Sequence, residues 1–452
     1  MKRSLGNLFL IFMLVLGLLF VVVCSQVAAA PKYTVTDLNT LTGINRVEDV
    51  NSQGMFVGSL YYAAGPRACV WQAETGLIDL GPGKAVAISD SGYVVGRINS
   101  QQSFVWKADK GMTVLAINSP YSIVDASDVN DSGQVVGGSY IHMQNFRAFL
   151  WEADTGMTDL GTLGGLSSGA EAINNSGQVV GYASNHAFLW QKETGMVNLG
   201  SLGGSACSAY GINDAGQVVG YSRTASGSSH AFIWDKNAVL RMLDIGTLGG
   251  SYSGAEGIDN HGQVIGSSDT ADGKRHAFIW KADTGMIDLN SLIDPALGLE
   301  LGEARKILDD GSILARYSWC LGKYVGLHDV LLTPLVIQVQ IDIKPGDSLN
   351  IINMKSKGTT PVAILASADF DPSTVDPATV TLAGAPVALK SKGRYMASLK
   401  DMNGDGLKDL VLHVVTQQLN LTVEDTKAVL EGETFDGTPI VGEDSVKVIA
   451  KK

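Results

Sequence analysis

The residues with the most specific chemical spacing lie near the C-terminus. Oxygen-bearing side chains alternate there, and Gly406 allows the chain to turn sharply between them. Ca²⁺ takes about six to eight oxygen ligands, which are commonly supplied by one wrapped loop. The segment therefore predicts a calcium loop whose ligands are Asp401, Asn403, Asp405, the Leu407 carbonyl and Asp409.

This segment resembles the calcium loops of EF-hands and dockerins over its first nine positions. It departs from them at the twelfth position, where Leu412 stands in place of a bidentate Glu. Residues 410–415 are typical of a strand, so we expect the loop to join two strands of a β-hairpin. A solvated Asp/Gly turn without metal is the alternative. A structural role for the ion is favoured, because crowded carboxylates repel one another without a cation.

Two other patterns could suggest catalysis or metal binding. Residues 165–169 match G-x-S-x-G, but that chemistry requires a strand-to-helix elbow and no helix is predicted after them. A histidine recurs along the chain, yet Arg and Gln replace it at equivalent positions. The shared property is hydrogen-bond donation, which favours a structural role over a metal ring. The aligned residues are Arg67, Gln102, Arg147, His186, His230, His276 and His328. No catalytic residue is predicted.

A third set of residues could bind a ligand. They lie three residues before a recurring Asn or its equivalent and are Glu48, Val86, Ser127, Glu171, Tyr210, Glu256 and Arg305. If they face a central channel, they form a polar, net acidic ring near one mouth. The candidate ligand residues are Glu48, Glu171, Tyr210, Glu256 and Arg305. Packing against an adjacent strand layer is the alternative for most of these side chains.

The elements that position these residues come from an internal repeat. A turn glycine recurs about every 43 residues between Gly54 and Gly311, a spacing typical of four-stranded propeller blades. Each unit predicts four strands, with an Asn-x-Ser-Gly hairpin turn between the first two. The third strand, as at 186–190, is apolar on both faces and should be covered on both sides. The sequence predicts an all-β fold with a seven-bladed β-propeller.

The last unit lacks a fourth strand before Pro334, whereas residues 33–41 read like a fourth strand without a unit. We expect this N-terminal strand to complete the last blade and close the ring. An open β-solenoid is the alternative. Residues 335–452 follow a different pattern of short strands and predict a separate β-sandwich.

The repeats over 44–334 resemble the bacterial extracellular HAF-repeat family. The matching motifs are His186-Ala187-Phe188, His230-Ala231-Phe232 and His276-Ala277-Phe278, with Thr162-Leu163-Gly164-Gly165 and Gly177-Gln178-Val179-Val180-Gly181 beside them. The resemblance implies an exported β-protein and no established activity. Residues 341–346 and 361–365 resemble an accessory domain of secreted bacterial proteins.

The N-terminus predicts export. Lys2 and Arg3 precede an apolar run and small residues, so residues 1–29 read as a signal peptide cleaved after Ala29, with a retained anchor as the alternative. We place the propeller at 31–334. The net charge of −12 argues against nucleic-acid binding. No stable membrane span is expected after cleavage.

The expected function is a secreted, non-catalytic binding or scaffold protein with an unknown protein or glycan ligand and Ca²⁺ as its cofactor. A carbohydrate-active hydrolase or lyase on the propeller is one alternative. A protein that is retained at the cell surface for adhesion is another.

The calcium loop makes the first testable prediction. Titration calorimetry should detect Ca²⁺ binding by the wild type, together with a higher melting temperature, since a ligand of the folded state stabilises it. Asp405→Ala should lose most of both effects. A wild type that shows neither heat nor stabilisation would leave the segment as an ordinary turn.

Overall fold

The computed structural model describes residues 32–115, 124–142, 145–321, 324–390, 392–435 and 437–449. The predicted signal peptide lies outside these residues. The described chain is all-β apart from one short α-helix and four 3-10 turns, which are Leu289–Ser291, Pro295–Leu297, Pro372–Thr374 and Thr416–Gln418. In this part of the chain, no helix is long and apolar enough to cross a membrane.

The chain begins with β1 (Tyr33–Asp37) and α1 (Leu38–Thr42). Four-stranded antiparallel sets follow, which we number in chain order. Set 1 is β2 (Arg46–Val50), β3 (Phe56–Tyr62), β4 (Gly65–Gln72) and β5 (Gly76–Pro82). Set 2 is β6 (Lys84–Ile88), β7 (Val94–Arg97), β8 (Ser103–Lys107) and β9 (Gly111–Leu115). Set 3 is β10 (Val124–Val129), β11 (Val135–His142), β12 (Asn145–Glu152) and β13 (Gly156–Asp159).

The later sets repeat this order. Set 4 is β14 (Ser168–Ile173), β15 (Val179–Ala183), β16 (His186–Gln191) and β17 (Gly195–Asn198). Set 5 is β18 (Gly203–Ile212), β19 (Val218–Thr224), β20 (Ser229–Trp234) and β21 (Met242–Asp244). Set 6 is β22 (Gly249–Ile258), β23 (Val264–Thr270), β24 (Arg275–Lys281) and β25 (Gly285–Asp288). Sets 5 and 6 are joined by a single parallel pair, Ser229 with Tyr252. Set 7 is β26 (Leu301–Ile307), β27 (Ile313–Leu321) and β28 (Tyr324–Pro334), completed by β1.

The third strand of each set holds neighbouring sets together. In set 4, Ala187 and Phe188 are fully buried and Leu189 is nearly so, which confirms that this strand is covered on both faces. Phe188 packs into set 3, and Phe232 packs in the same way into set 4. Cys69 stands at the equivalent position in set 1 and packs with Leu314 of set 7. The last set therefore lies against the first, and the sets form a β-propeller.

The N-terminal strand pairs with the last set as the sequence predicts. Strand β1 runs antiparallel to β28, from Tyr33 opposite Pro334 to Asp37 opposite Val330. The predicted strand over 33–41 was too long, because residues 38–42 are helical. Asp37 caps this helix by accepting a hydrogen bond from the Thr40 N–H at 2.8 Å, and Gly43 ends it at φ 72°.

The C-terminal residues form a second β-structure. Its strands are β29 (Ile337–Gln338), β30 (Ile341–Ile343), β31 (Ile351–Asn353), β32 (Thr359–Ile364), β33 (Val375–Leu382), β34 (Ala385–Pro386), β35 (Ala397–Lys400), β36 (Asp409–Val415), β37 (Lys427–Thr434), β38 (Pro439–Ser445) and β39 (Lys447–Ile449). One sheet has the order β29-β38-β37-β33-β34, another β30-β32-β36-β35, and β31 pairs with β39. Side chains from these sheets share one hydrophobic cluster that includes Ile343, Leu382, Leu412 and Leu430.

The split set makes the second prediction. Deleting residues 31–43 should lower the melting temperature by about 10 °C or more, because set 7 loses a paired strand and the buried Leu38. Asp159→Ala, which alters the fourth strand of the uninterrupted set 3, is the control for a local change. Scanning calorimetry of both proteins would decide it. A truncated protein that melts like its parent would show that β1 does not stabilise the ring.

Candidate functional site

The seven aligned residues proposed to face a channel share one backbone feature. In each set, the pairing between the first and second strands shifts register at this residue, which marks a β-bulge. The shifts occur at Glu48, Val86, Ser127, Glu171, Tyr210, Glu256 and Arg305. A bulge adds one residue to a strand and redirects its side chain. All seven line a single cavity with a volume of about 400 Å³. We call these residues the channel ring.

A glycine in the second strand accompanies the bulge in most sets. In set 4, a Cβ on Gly181 would lie 2.1 Å from the Gly169 carbonyl oxygen, just before the bulge at Glu171. No side chain fits that space. The recurring Val-Val-Gly motif thus permits the two strands to approach closely where the bulge forms.

One side of the channel ring is paired by charge. Arg305 Nη2 lies 2.8 Å from Glu48 Oε2, and Arg46 Nε lies 2.5 Å from Glu48 Oε1. The Glu48 carboxylate is one of the groups that raise the pKa of Arg305, against the opposing effect of burial. This pairing joins set 7, the last set of the chain, to set 1, the first.

Two other carboxyls of the channel ring, in sets 4 and 6, have no direct partner. Within the described residues, neither Glu171 nor Glu256 has an ion pair or a side-chain hydrogen bond. Burial raises the pKa of Glu171 to about 7, and the nearby carboxylates of Asp125 and Glu256 add to this. Burial also raises the pKa of Glu256 to about 7, with Glu303 adding to it and Arg305 opposing it. Tyr210 lies in the set between them, and burial raises its pKa as well.

A charged cluster lies next to the channel ring in the same cavity, at the residue that follows the bulge in sets 1, 3 and 7. Lys306 Nζ is 3.7 Å from Asp49 Oδ1, and the Asp49 carboxylate is the main cause of its raised pKa. Asp128 also belongs to this cluster, where burial raises its pKa to about 6 and Lys306 opposes the shift. The sequence analysis missed this cluster. A charged residue directly after the bulge position in sets 1, 3 and 7, where the other sets have Ala or Gly, was the available signal.

The predicted calcium loop lies at the tip of a β-hairpin, as expected, because β35 pairs with β36 up to Lys400 opposite Asp409. Asp401, Asn403 and Asp405 are exposed there. The Asp401 carboxylate accepts hydrogen bonds from the Gly404 N–H at 2.6 Å and the Gly406 N–H at 3.0 Å. These bonds wrap the chain around the Asp401 carboxylate, with the side chains of Asn403 and Asp405 exposed beside it.

Asp409 differs from the other predicted ligands. It is fully buried, and its carboxylate accepts from the Ala366 N–H at 2.8 Å and the Met402 N–H at 2.7 Å. In the described parts of the chain, no three His, Cys, Asp or Glu side chains form a group that could hold a metal ion. The geometry thus gives Asp409 a role in anchoring the loop to the neighbouring strand.

The recurring histidines do not converge on one another. His230 Nδ1 lies 2.8 Å from Asp244 Oδ2, and His276 Nδ1 lies 2.6 Å from Asp288 Oδ2. Each pair links the third and fourth strands of one set. In set 7 the pair is His328 with Asp37 at 3.2 Å, across the two ends of the repeat region.

The G-x-S-x-G segment also has a structural role. Strand β14 begins at Ser168, so no helix follows the motif. Ser167, the serine of the motif, is half-buried, and its carbonyl accepts from the Ser184 N–H at 2.8 Å. The next residue, Ser168, is fully buried; its hydroxyl donates to the Gly161 carbonyl at 2.5 Å and accepts from the Ala148 N–H at 3.0 Å. The segment therefore has none of the geometry of a nucleophile elbow.

Comparisons with known proteins do not assign a family. No family model matches the chain, and no curated protein matches it. Solved structures with a similar fold include virginiamycin B lyase from Staphylococcus aureus, at 10% identity and a TM-score of 0.43 over 67% of this chain and 99% of that one. The β-propeller domain of the Trilobed protease from Pyrococcus furiosus has 10% identity and a TM-score of 0.42 over 67% and 93%. A six-bladed lectin from Aleuria aurantia has 11% identity and a TM-score of 0.31 over 68% and 96%. These likenesses are too distant to carry an argument.

The unpaired carboxyls make the third prediction. An ordinary Glu pKa of 4.5 rises to about 7 for Glu171 on folding, so the unfolded chain loses this proton first as the pH rises. Stability therefore falls between about pH 4.5 and pH 7. Glu171→Gln should raise the free energy of unfolding at pH 8 by about 1–3 kcal/mol and change it little at pH 4.

Glu48→Gln is the matched control at the same position of another set. It should destabilise the protein at pH 8, because Arg305 then loses its carboxylate partner. Melting temperatures of the wild type and both variants at the two pH values would test the difference. Equal destabilisation by both substitutions would mean that Glu171 is not held unpaired.

Proposed function

We propose that this chain is an exported, non-catalytic binding or scaffold protein whose propeller binds its ligand at the channel ring. The observation that supports this most directly is the bulge in every set, which brings the seven ring side chains into one cavity. Within the described residues, the half-buried carboxyls of Glu171 and Glu256 there have no ion pair or side-chain hydrogen bond. Such groups are available to a ligand that offers hydroxyl or amine donors.

The proposal includes a seven-bladed ring over residues 31–334, closed by the N-terminal strand, and a C-terminal β-sandwich over 335–452. The pairing of β1 with β28 supports the closure, as does the hydrogen bond from the Val47 N–H to Asp329 Oδ2 at 2.9 Å, which links set 7 to set 1. The hydrophobic cluster shared by the C-terminal sheets supports the sandwich.

The charge of the cavity limits the chemical class of ligand that can bind there. Carboxylates outnumber cations among its lining residues, since only Arg305 and Lys306 are basic, and both are already paired with acids. A negatively charged polymer such as nucleic acid would be repelled. A neutral glycan or a protein segment with a cationic side chain fits this lining better.

Ca²⁺ binding by the loop at residues 401–409 is also part of the proposal. It is supported by the exposed oxygens of Asp401, Asn403 and Asp405 on a hairpin tip that Asp409 anchors. The ion would neutralise the loop carboxylates and order the tip. We also propose that the chain belongs to the HAF-repeat family and is exported by its N-terminal signal. An alternative is that the exported protein is retained at the cell surface, where it acts in adhesion.

A second candidate function is a carbohydrate-active hydrolase or lyase. It is favoured by two carboxyls that line one cavity. Burial raises the pKa of Glu171, and the nearby Glu256 carboxylate adds to this. A carboxyl that stays protonated near neutral pH is suited to general acid catalysis, and glycoside hydrolysis uses a pair of carboxyls.

The fourth prediction tests both candidates. A glycan array of neutral and amino-sugar oligosaccharides should bind the wild type and lose at least tenfold in affinity with Glu171→Gln/Glu256→Gln. The double variant Glu74→Gln/Glu193→Gln removes the same charge from exposed positions and should bind like the wild type. Identical binding by the cavity variant would overturn the channel ring as the site. Release of reducing ends by the wild type, absent in the cavity variant, would favour the hydrolase.

A further inference from the structure

A second class of cavity lies between neighbouring sets, away from the channel ring. The groove between sets 2 and 3 has a volume of about 490 Å³, and an equivalent groove between sets 5 and 6 has one of about 810 Å³. Each is bordered by a tryptophan at the end of a third strand, the residue after it and the residue after a turn glycine. These are Trp106, Lys107 and Tyr93 in the first groove.

The residue after the turn glycine covers the turn of the next set. It is a glutamine in sets 3 to 6, namely Gln134, Gln178, Gln217 and Gln263. Set 2 has Tyr93 at this position. A Cβ on Gly133 would lie 2.8 Å from Tyr93 Cζ, so the ring rests directly on the backbone of set 3. Tyr93 is thus a fixed aromatic group where the repeat otherwise carries an amide.

Two lysines converge on this tyrosine. Lys110 Nζ donates a hydrogen bond to the Tyr93 hydroxyl at 2.6 Å, and Lys107 Nζ lies 4.2 Å from the centre of the ring. Across the residues that the structure describes, neither lysine has a carboxylate within ion-pair distance. Asp109 acts on Lys110 only beyond ion-pair distance, so two ammonium groups share one wall of the groove without a paired carboxylate, in a chain whose net charge is −12.

The carboxylates of the groove do not fill this role. Glu152 lines the groove, but its oxygens accept hydrogen bonds from Gln134 Nε2 at 2.8 Å and the Thr155 hydroxyl at 3.0 Å. Those contacts lower its pKa, so Glu152 is held as an anion by its own set. Asp154 also lines the groove and is exposed. An external anion beside the two lysines would relieve their repulsion.

We propose that Tyr93, Lys107 and Lys110 form an anion-binding site that takes the carboxylate of an acidic sugar. Polar groups with free hydrogen-bonding capacity line the rest of the groove at Thr113 and Ser132, and the half-buried Trp151 offers an apolar edge. A groove of this volume accommodates a mono- or disaccharide. The lysines bind the carboxylate, while the neighbouring hydroxyls bind those of the sugar ring. This site is independent of the channel ring and of the function proposed for it.

The test uses the full-length mature protein and calorimetric titration with digalacturonic acid. Its methyl ester, which keeps the shape but not the charge, is the matched ligand. We expect the acid to bind at least tenfold more tightly than the ester. Equal affinity for the two, or no binding of the acid, would overturn the proposal. Inorganic sulfate that binds as tightly as the acid would also overturn it, because the site would then recognise any anion.

Two variants should weaken binding of the acid at least tenfold. Lys107→Gln/Lys110→Gln removes both charges. Tyr93→Gln installs the residue that the repeat has in sets 3 to 6, so it should fold normally, which the melting temperature checks. Lys281→Gln is the control, because Lys281 follows Trp280 in set 6 as Lys107 follows Trp106 in set 2. Unchanged affinity in the first two variants, or an equal loss in the control, would locate the site elsewhere.

Discussion

The fold depends on hydrogen bonds that join one set of strands to the next. Asparagine side chains donate some of these bonds, and aspartate carboxylates accept others. Asn174 Nδ2 donates to the Asn213 carbonyl at 3.0 Å, and Asn213 Nδ2 donates to the Asp259 carbonyl at 2.9 Å. Apart from the pair between Ser229 and Tyr252, the sets described share no strand pairing, and only single backbone bonds cross between them, such as the one from the Cys207 N–H to the Asn185 carbonyl at 2.9 Å. Hydrophobic packing alone is not directional. These hydrogen bonds therefore fix how each set is aligned along its neighbour. That alignment determines where the channel-ring residues lie.

The same series of bonds is interrupted at the last step of the ring. Asp259 stands where sets 3 to 5 have Asn, and its buried Oδ2 has no hydrogen-bond partner among the described residues. Burial raises the pKa of this carboxyl, and Asp309 adds to the effect. Two hydrogen bonds that Asn260 donates to the Asp309 carboxylate, each 2.9 Å long, join set 6 to set 7 instead. The Val47 N–H, which donates to Asp329 at 2.9 Å, and the ion pair between Arg305 and Glu48 join set 7 to set 1.

The sequence predicts those features that depend on local pattern. The turn at Asn174, the covered third strand around Phe188 and the completion of set 7 by β1 all follow from residue periodicity and turn chemistry. It does not predict the bulge at Glu171, because an inserted residue leaves no composition signal when its neighbours are Ala. Nor does it predict that Lys306 reaches Asp49 in set 1, since such contacts depend on how the ends of a repeat array meet. The helix at residues 38–42 was missed because the strand that ends at Asp37 was extended over residues 38–41, past the helix cap.

In sets 3 to 6, the bulge separates the residue that varies between sets from those that join one set to the next. In set 4 the bulge residue Glu171 faces the cavity, whereas Ala170 and Ile173 on either side pack into the core. One side chain per set can therefore change without disturbing the inter-set bonds. Glu48 and Arg305 use this freedom to neutralise each other where the first and last sets meet. Glu171, Tyr210 and Glu256 belong to sets 4, 5 and 6. Each of these sets is built from one continuous segment of the chain. The carboxylates of Glu171 and Glu256 have no ion pair within the described residues, and burial raises the pKa of both, so their ionised forms are expected to oppose folding. A stability cost without a structural return is what a binding site is expected to carry, and this argues for function at that side of the ring.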